Sequence, residues 1–170
     1  MINIKLYSLL FLFFLKTLYS DPIEIDVTKG TIEPLPIAIT KFNYKSIKEK
    51  IISQQIYEIV SNDLTNSGLF RKISNNAFLQ DEEEVFFQPS FRDWSLIDAN
   101  LIVSGKIKLN NEKLIINIKL WDVYREKLIL SKKVEVVNDN NIRVLAHIIS
   151  NLVYQRVTGE KGYFDTRLVY

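Results

Sequence analysis

The chemistry available to this 170-residue chain begins with its single histidine. A histidine is a common general base and a common metal ligand in proteins. It lies in a predicted helix, beside an apolar stripe that includes Leu145 and Ile149. A catalytic base needs a hydrogen-bonded partner, and no sequence pattern supplies one. We therefore predict a surface or boundary residue, and a secreted hydrolase would require a partner for His147.

The acidic run Asp81–Glu84 is the other candidate for chemistry, because clustered carboxylates can bind a hard cation. Calcium loops alternate their acidic positions with other oxygen ligands and turn on a glycine, whereas this run is consecutive and lacks one. We predict a solvated loop over Gln80–Glu84. The chain has no cysteine, no glycine-rich phosphate loop and no GxSxG motif, so we predict no metal, no cofactor and no enzymatic activity.

Trp121 is a candidate for contact with a partner protein. It follows Asn117 and Lys119 on the polar face of a predicted strand, where an exposed indole would anchor an interface. The alternative is that Trp121 packs beneath a loop or a helix end.

The first twenty residues are predicted to be a secretory signal peptide. Lys5 precedes an apolar run over residues 6–15, and cleavage is expected between Ser20 and Asp21. The run is shorter than the roughly 18 apolar residues of a spanning helix; an uncleaved interfacial anchor or a buried helix is the alternative. Cleavage lowers Lys plus Arg from 22 to 20, equal to the 20 Asp plus Glu, and a neutral chain does not suit nucleic acid.

The segment 21–34 has the pattern of an extended strand. Apolar and polar residues alternate from Ile23 to Thr28, and Gly30 and Pro34 then break the pattern. An isolated short strand is marginal by itself. It would therefore pair either with the sheet of its own domain or with the edge of a partner's sheet.

A buried strand over Leu35–Phe42 and a long amphipathic helix are predicted next. Ser46 followed by Glu49 forms a capping box, and Gly68 is a typical helix stop. The helix must pack on a sheet through its predicted apolar face. That face comprises Ile47, Ile51, Ile52, Ile56, Ile59, Val60 and Leu64.

Most of the remaining chain alternates as strands do. A short strand over Leu69–Ile73 and a short helix over Ser90–Asp98 come first, and a second amphipathic helix starts at Ile142 and ends at Gly159. Between them lies an antiparallel meander with one apolar and one solvated face, over residues 101–109, 114–120 and 128–136. We predict an α+β fold: a two-layer domain with a mainly antiparallel mixed sheet and two amphipathic helices packed on one face.

Four groups of residues, in a shared order and spacing, carry a resemblance to a known family. They are Pro36–Ile39 with Phe42, Asp63–Phe70, Trp94 with Ile97–Ala99 and Gly105, and Thr158–Arg167. The chain resembles the TolB family, the periplasmic component of the Tol-Pal system of Gram-negative bacteria. The agreement extends over nearly the whole mature chain.

The resemblance implies a periplasmic adaptor that supports outer-membrane integrity and invagination during division. In the family an N-terminal α/β domain precedes a six-bladed propeller that binds the lipoprotein Pal. The resemblance assigns residues 35–159 to the N-terminal domain and residues 160–170 to a junction with a propeller that is absent here. Pal binding is therefore assigned to no residue of this chain. The alternative function is a periplasmic carrier with an apolar pocket between helix and sheet.

The resemblance also implies a binding site for the inner-membrane protein TolA, in the extended N-terminal segment. No small-molecule substrate is expected for such an adaptor. By position, the TolA-binding residues are Asp21, Pro22, Ile23, Glu24, Ile25, Asp26, Val27, Thr28, Lys29, Gly30, Thr31, Ile32 and Glu33.

Overall fold

The computed structural model describes residues 33–110, 113–137 and 141–165. Its strands are β1 Leu35–Ile39, β2 Phe70–Lys72, β3 Leu101–Asn110, β4 Lys113–Asp122 and β5 Lys127–Val137. They form one sheet in the order β2-β1-β3-β4-β5. β1 is parallel to β2 and β3, whereas the three long strands β3, β4 and β5 are antiparallel. The predicted mixed sheet is confirmed.

Two long helices pack together on one face of this sheet. The helices are α1 Ile47–Asn66, α2 Glu82–Phe87, α3 Phe91–Leu96 and α4 Ile142–Thr158, with a short 3-10 turn at Asn75–Ala77. Fully buried side chains of α1, α4 and the sheet, among them Ile56, Leu120 and Ile149, share one apolar core. The α+β class with two amphipathic helices on one face is therefore confirmed.

The predicted capping box begins α1. Ser46 Oγ accepts the backbone N–H of Glu49 at 3.2 Å, and the Glu49 carboxylate accepts the backbone N–H of Ser46 at 3.2 Å and of Lys45 at 2.7 Å. The other carboxylate oxygen accepts the N–H of Leu109 at 2.8 Å. Glu49 thus ties the start of α1 to the end of β3. Gly68, with a φ of +75°, follows the helix as predicted.

Two residues of the predicted apolar face of α1 lie outside the core. Ile47 and Ile51 are 82% and 57% exposed, whereas Ile52 and Ile56 are buried. Ile47 and Ile56 are nine positions apart, which at about 100° per residue places them on opposite sides of a helix. The predicted face was too wide. The buried face instead includes small polar residues such as Ser53.

The other face of the sheet, which was predicted to be solvated, is covered in part by α2 and α3. The covered residues form a second buried cluster made up of Ala38, Ile73, Val85, Trp94, Ala99, Ile102, Trp121 and Val123. The acidic run is not a loop, because it caps and begins α2. Asp81 accepts the N–H groups of Glu83 at 3.0 Å and Glu84 at 2.8 Å. Carboxylates stabilise a helix start because the N–H groups there carry partial positive charge.

Side chains pack closely in the middle of the interface between the long helices and the sheet. Fully buried Phe42 lies so close to Gly105 that a Cβ at position 105 would be 2.7 Å from its ring. Ile107, Leu114 and Val153 are at most 1% exposed. A carrier needs a pocket at this interface, and the groove found there, lined by residues that include Leu35, Ile129 and Val157, lies at the surface beside the end of α4.

Candidate functional site

The predicted TolA-binding segment lies almost wholly outside the described residues. Only Glu33, its last residue, is described, and this side chain is exposed. The range 21–32 and the predicted cleavage pair, Ser20 and Asp21, fall outside. The assignment of these residues therefore stays a prediction.

Glu33 leads into the domain at the end of the sheet where β1 and β3 begin. Two surface grooves meet there, because both are lined by Leu35, Asn100 and Tyr124. The groove that includes Glu33 also contains an exposed ion pair between Arg71 and Asp98, with 3.4 Å between nitrogen and oxygen. Exposed pairs of this kind contribute little to stability. Charges of both signs line this end of the domain, so it shows no preference for an anionic or a cationic ligand.

β5 forms one edge of the described sheet, and no described strand pairs with its outer side. Lys132 and Lys133 are adjacent and exposed on this strand, and Lys133 forms an ion pair with Glu135. Lysines on an edge strand oppose pairing with another chain. The outer edge of β5 is therefore unpaired among the described residues, and its lysines oppose pairing with another chain.

His147 has a hydrogen-bond partner that its sequence context did not reveal. Its Nδ1 lies 2.8 Å from Oδ2 of Asp63 on α1, and Arg143 Nε donates to its Nε2 at 3.4 Å. Asp63 and His147 are 84 positions apart, so only the packing of α1 on α4 brings them together. The imidazole is 16% exposed, which agrees with the predicted boundary position.

This polar cluster lacks the geometry of a hydrolase. Ser150 Oγ donates to the same Asp63 oxygen at 2.7 Å, and Ser150 is fully buried. In a catalytic triad the imidazole lies between the serine and the carboxylate. Here the carboxylate of Asp63 lies between the serine and the imidazole of His147, so the imidazole does not contact the hydroxyl. The cluster joins α1 to α4.

Trp121 is buried, so the interpretation as an exposed anchor was wrong. The residue is 6% exposed and packs edge-on against Phe91, with ring centroids 6.1 Å apart. Its Nε1 donates to Ser104 Oγ at 3.2 Å. Phe91 is the first residue of α3, so the alternative of packing beneath a helix end is confirmed.

Lys119, on the same face of the sheet, also takes part in packing. Its Nζ donates to the carbonyl oxygen of Phe86 at 2.9 Å and lies 4.6 Å from the centroid of the Phe86 ring. Burial lowers the pKa of Lys119. Its ammonium group therefore helps to hold α2 on the sheet.

Residues 160–165 turn back onto α4 after Gly159 ends that helix with a φ of +79°. Asn151 holds them with both ends of its amide. Its Oδ1 accepts the N–H of Phe164 at 3.1 Å, and its Nδ2 donates to Asp165 Oδ1 at 3.0 Å. Tyr154 packs edge-on against Phe164, with centroids 5.7 Å apart. The glycine and aromatic residues of this motif thus fix the path of the chain after α4.

Gly162→Ala is expected to detach residues 160–165 from α4. A Cβ at position 162 would lie 2.7 Å from the Cα of Asn151, and a backbone atom cannot swing aside as a flexible side chain can. We expect a loss of about 1–2 kcal/mol, typical of overpacking, and faster amide exchange at Phe164. Hydrogen–deuterium exchange measures this effect. The control is Lys161→Ala at an exposed position; equal exchange in the two variants would contradict the assignment.

The described ranges contain neither a candidate metal site nor a candidate membrane-spanning helix. No group of three or more His, Cys, Asp or Glu side chains there could hold a metal ion. In the same ranges, no helix has the length and apolar character needed to cross a bilayer.

Comparison with known proteins gives consistent matches. The model of the TolB amino-terminal domain matches residues 23–129. The Tol-Pal system protein TolB of Pelagibacter ubique is 42% identical over 157 residues, which cover 87% of this chain and 35% of that protein. The protein of the same name from Rickettsia prowazekii is 38% identical over 165 residues, 96% of this chain and 37% of its own. The chain spans about a third of the length of these curated relatives.

A solved structure is similar as well. The crystal structure of TolB from Acinetobacter baumannii has a TM-score of 0.65 at 27% sequence identity. The match covers 79% of this chain and 31% of that one. Sequence and fold thus lead to the same family as the motifs quoted above.

Proposed function

Because this chain belongs to the TolB amino-terminal domain family, we propose that it acts as a non-enzymatic adaptor of the Tol-Pal system. The family match over residues 23–129 carries the proposal, since it is the observation that bears on a cellular role. The cluster of Asp63, His147 and Ser150 supports it, because its order joins two helices and does not activate a nucleophile.

The proposed partner is TolA, bound through residues 21–33. Ile23, Ile25 and Val27 alternate with polar residues. Such a segment can pair its main chain with a sheet edge while one row of side chains contacts the partner. Pro34 has no N–H to donate, so pairing of this kind would end just before β1. The segment and the folded domain would then have separate tasks.

The proposed location is the periplasm, after cleavage between Ser20 and Asp21. Binding of Pal would belong to parts of TolB beyond this chain, and we assign it to no residue here. An adaptor between TolA and Pal would link the inner and outer membranes. Such a link would support outer-membrane integrity and invagination during division.

Deleting residues 21–33 is expected to abolish TolA binding, measured by isothermal titration calorimetry. We expect at least a hundredfold weaker affinity, or about 2.8 kcal/mol, because both the main-chain pairing and the side-chain contacts are lost. Circular dichroism of the shortened chain checks that the domain is still folded. Unchanged affinity in a folded deletion variant would refute the proposal.

A pair of substitutions at position 25 tests strand addition separately. Ile25→Pro removes a backbone N–H, whereas Ile25→Ala shortens the side chain and keeps that donor. Main-chain pairing predicts that proline weakens TolA binding about tenfold more than alanine does, the equivalent of about one main-chain hydrogen bond. Equal losses in the two variants would rule out pairing at this position.

A further inference from the structure

The first two turns of α1 carry apolar side chains on their outward face. Ile47 and Ile51, four positions apart, are 82% and 57% exposed, and Tyr44 in the preceding loop is 40% exposed. Residues four apart lie one above the other on a helix, so the two isoleucines form one surface. We call Tyr44, Ile47 and Ile51, with the lysines around them, the α1 patch. Neither isoleucine takes part in the core that the rest of α1 builds.

Lysines surround these apolar side chains. Lys41, Lys45, Lys48 and Lys50 all lie within the ten positions that end at Lys50, and all four are exposed. Glu49 does not offset them at the surface, since it is buried and its carboxylate accepts three backbone N–H groups. Among the described residues, Glu82 is the acidic residue that lines the groove beside the patch, together with Lys41 and Lys50. The α1 patch is therefore apolar at its centre and positively charged at its rim.

We propose that the α1 patch docks on an anionic phospholipid surface. Lysine ammonium groups are attracted to the negative surface potential of such a bilayer. Exposed aliphatic side chains of an amphipathic helix enter the boundary between headgroups and acyl chains. Tyr44 suits the same depth, because its ring is apolar and its hydroxyl is polar. Charge and apolar contact would act together, giving weak and reversible binding.

A lipid surface fits the α1 patch better than a protein partner does. Lysine is depleted at protein interfaces, whereas basic residues beside exposed apolar ones are typical of helices at anionic membranes. Ile47 projects from the helix, and a protein partner would need a shaped cavity to receive it. Fluid lipid needs no such match in shape.

The α1 patch is at the other end of the sheet from Glu33, the last residue of the predicted TolA-binding segment and the first described residue. The bond from Leu109 N–H to Glu49 places the start of α1 at the end of β3, whereas Glu33 enters where β3 begins. Lipid docking therefore does not rest on TolA binding. The two proposals are tested by different partners and can fail independently.

Co-sedimentation with vesicles tests the proposal on residues 21–170, since the apolar run at 6–15 would itself bind lipid. Phosphatidylcholine vesicles are compared with vesicles that also contain phosphatidylglycerol. We expect about tenfold stronger partitioning into the anionic vesicles, from several lysines near the surface. About 1 M salt should remove most of that difference, because the Debye length falls to about 3 Å.

Paired variants identify the surface that binds. Ile47→Ser with Ile51→Ser, and Lys41→Gln with Lys50→Gln, are each expected to weaken anionic binding about fivefold or more. All four positions are exposed, so the fold should be unaffected. The controls, which should bind like wild type, change an exposed leucine and an exposed lysine elsewhere: Leu96→Ser and Lys127→Gln. Equal binding to both vesicle types, or wild-type binding by the patch variants, would overturn the proposal.

Discussion

Replacing Trp94 with alanine is expected to lower the free energy of unfolding by about 3–5 kcal/mol, the usual cost of removing a buried aromatic side chain. Trp94 is 1% exposed and packs edge-on against Phe78, with centroids 4.9 Å apart. Its Nε1 donates to Gln80 Oε1 at 2.8 Å, and the same oxygen accepts the N–H of Ser90 at 2.6 Å. The substitution thus removes the centre of the second cluster. Urea unfolding followed by circular dichroism measures the change.

Two variants separate packing from hydrogen bonding at this site. Trp94→Phe keeps an aromatic ring but loses the N–H to Gln80, and we expect a smaller loss of about 1–2 kcal/mol. Leu96→Ala, at an exposed position of α3, should change stability by less than about 0.5 kcal/mol. Equal losses of unfolding free energy for Trp94→Ala and Leu96→Ala would show that no side chain of α3 belongs to the core.

The two faces of the sheet differed in how well the sequence predicted them. Strand alternation assigns Val103 and Ile107 to one face and Lys106 to the other, because side chains of a strand alternate by geometry alone. It says nothing about what covers the polar face. The six residues of α2 are too short for a clear helical period, and the predicted short helix over Ser90–Asp98, which is α3, carried no sign of where it would pack. Trp121 was therefore left with two interpretations.

The sequence also predicted too wide a buried face for α1. Counting apolar residues at helical spacing included Ile47 and Ile51, since isoleucine at such spacing usually faces a core. Burial also depends on where the sheet ends beneath the helix, which the pattern does not contain. The capping box of Ser46 and Glu49 was predictable because its bonds span three residues.

The candidate site was the least predictable part. The contact of His147 with Asp63 joins positions 84 apart, and no motif around either residue predicts it. The prediction that residues 21–33 bind TolA depends on the alternation of apolar and polar residues and on the family resemblance, because Glu33 is the first residue that the structure describes. Local sequence patterns thus predicted most helices and strands of the domain. The polar contacts between those elements could be identified only from the three-dimensional structure.

Glu49→Gln is expected to destabilise the protein by about 2–3 kcal/mol at neutral pH, the cost of leaving buried donors unpaired. The carboxylate accepts backbone N–H groups from Leu109, Lys45 and Ser46 at 2.8, 2.7 and 3.2 Å. An amide presents one acceptor oxygen and one donor nitrogen, so at least one of these groups would face another donor. Chemical unfolding at pH 7 measures the loss.

The effect of Glu49→Gln should also depend on pH. Burial would raise the pKa of Glu49, yet the hydrogen bonds from Leu109, Lys45 and Ser46 outweigh burial and hold the pKa below its ordinary value of 4.5. The stabilisation is therefore fully present above the pKa of the unfolded chain and is lost as the pH falls through the lower pKa of the folded state. Wild type and variant should converge in stability under acid conditions.

Glu58→Gln is the matched control for this experiment. Glu58 is an exposed residue of the same helix and accepts one hydrogen bond, from Gln54 at 2.7 Å. Its substitution should cost less than about 0.5 kcal/mol, because the bond is at the surface. If Glu49→Gln behaved like Glu58→Gln, the carboxylate would not be what holds α1 to β3.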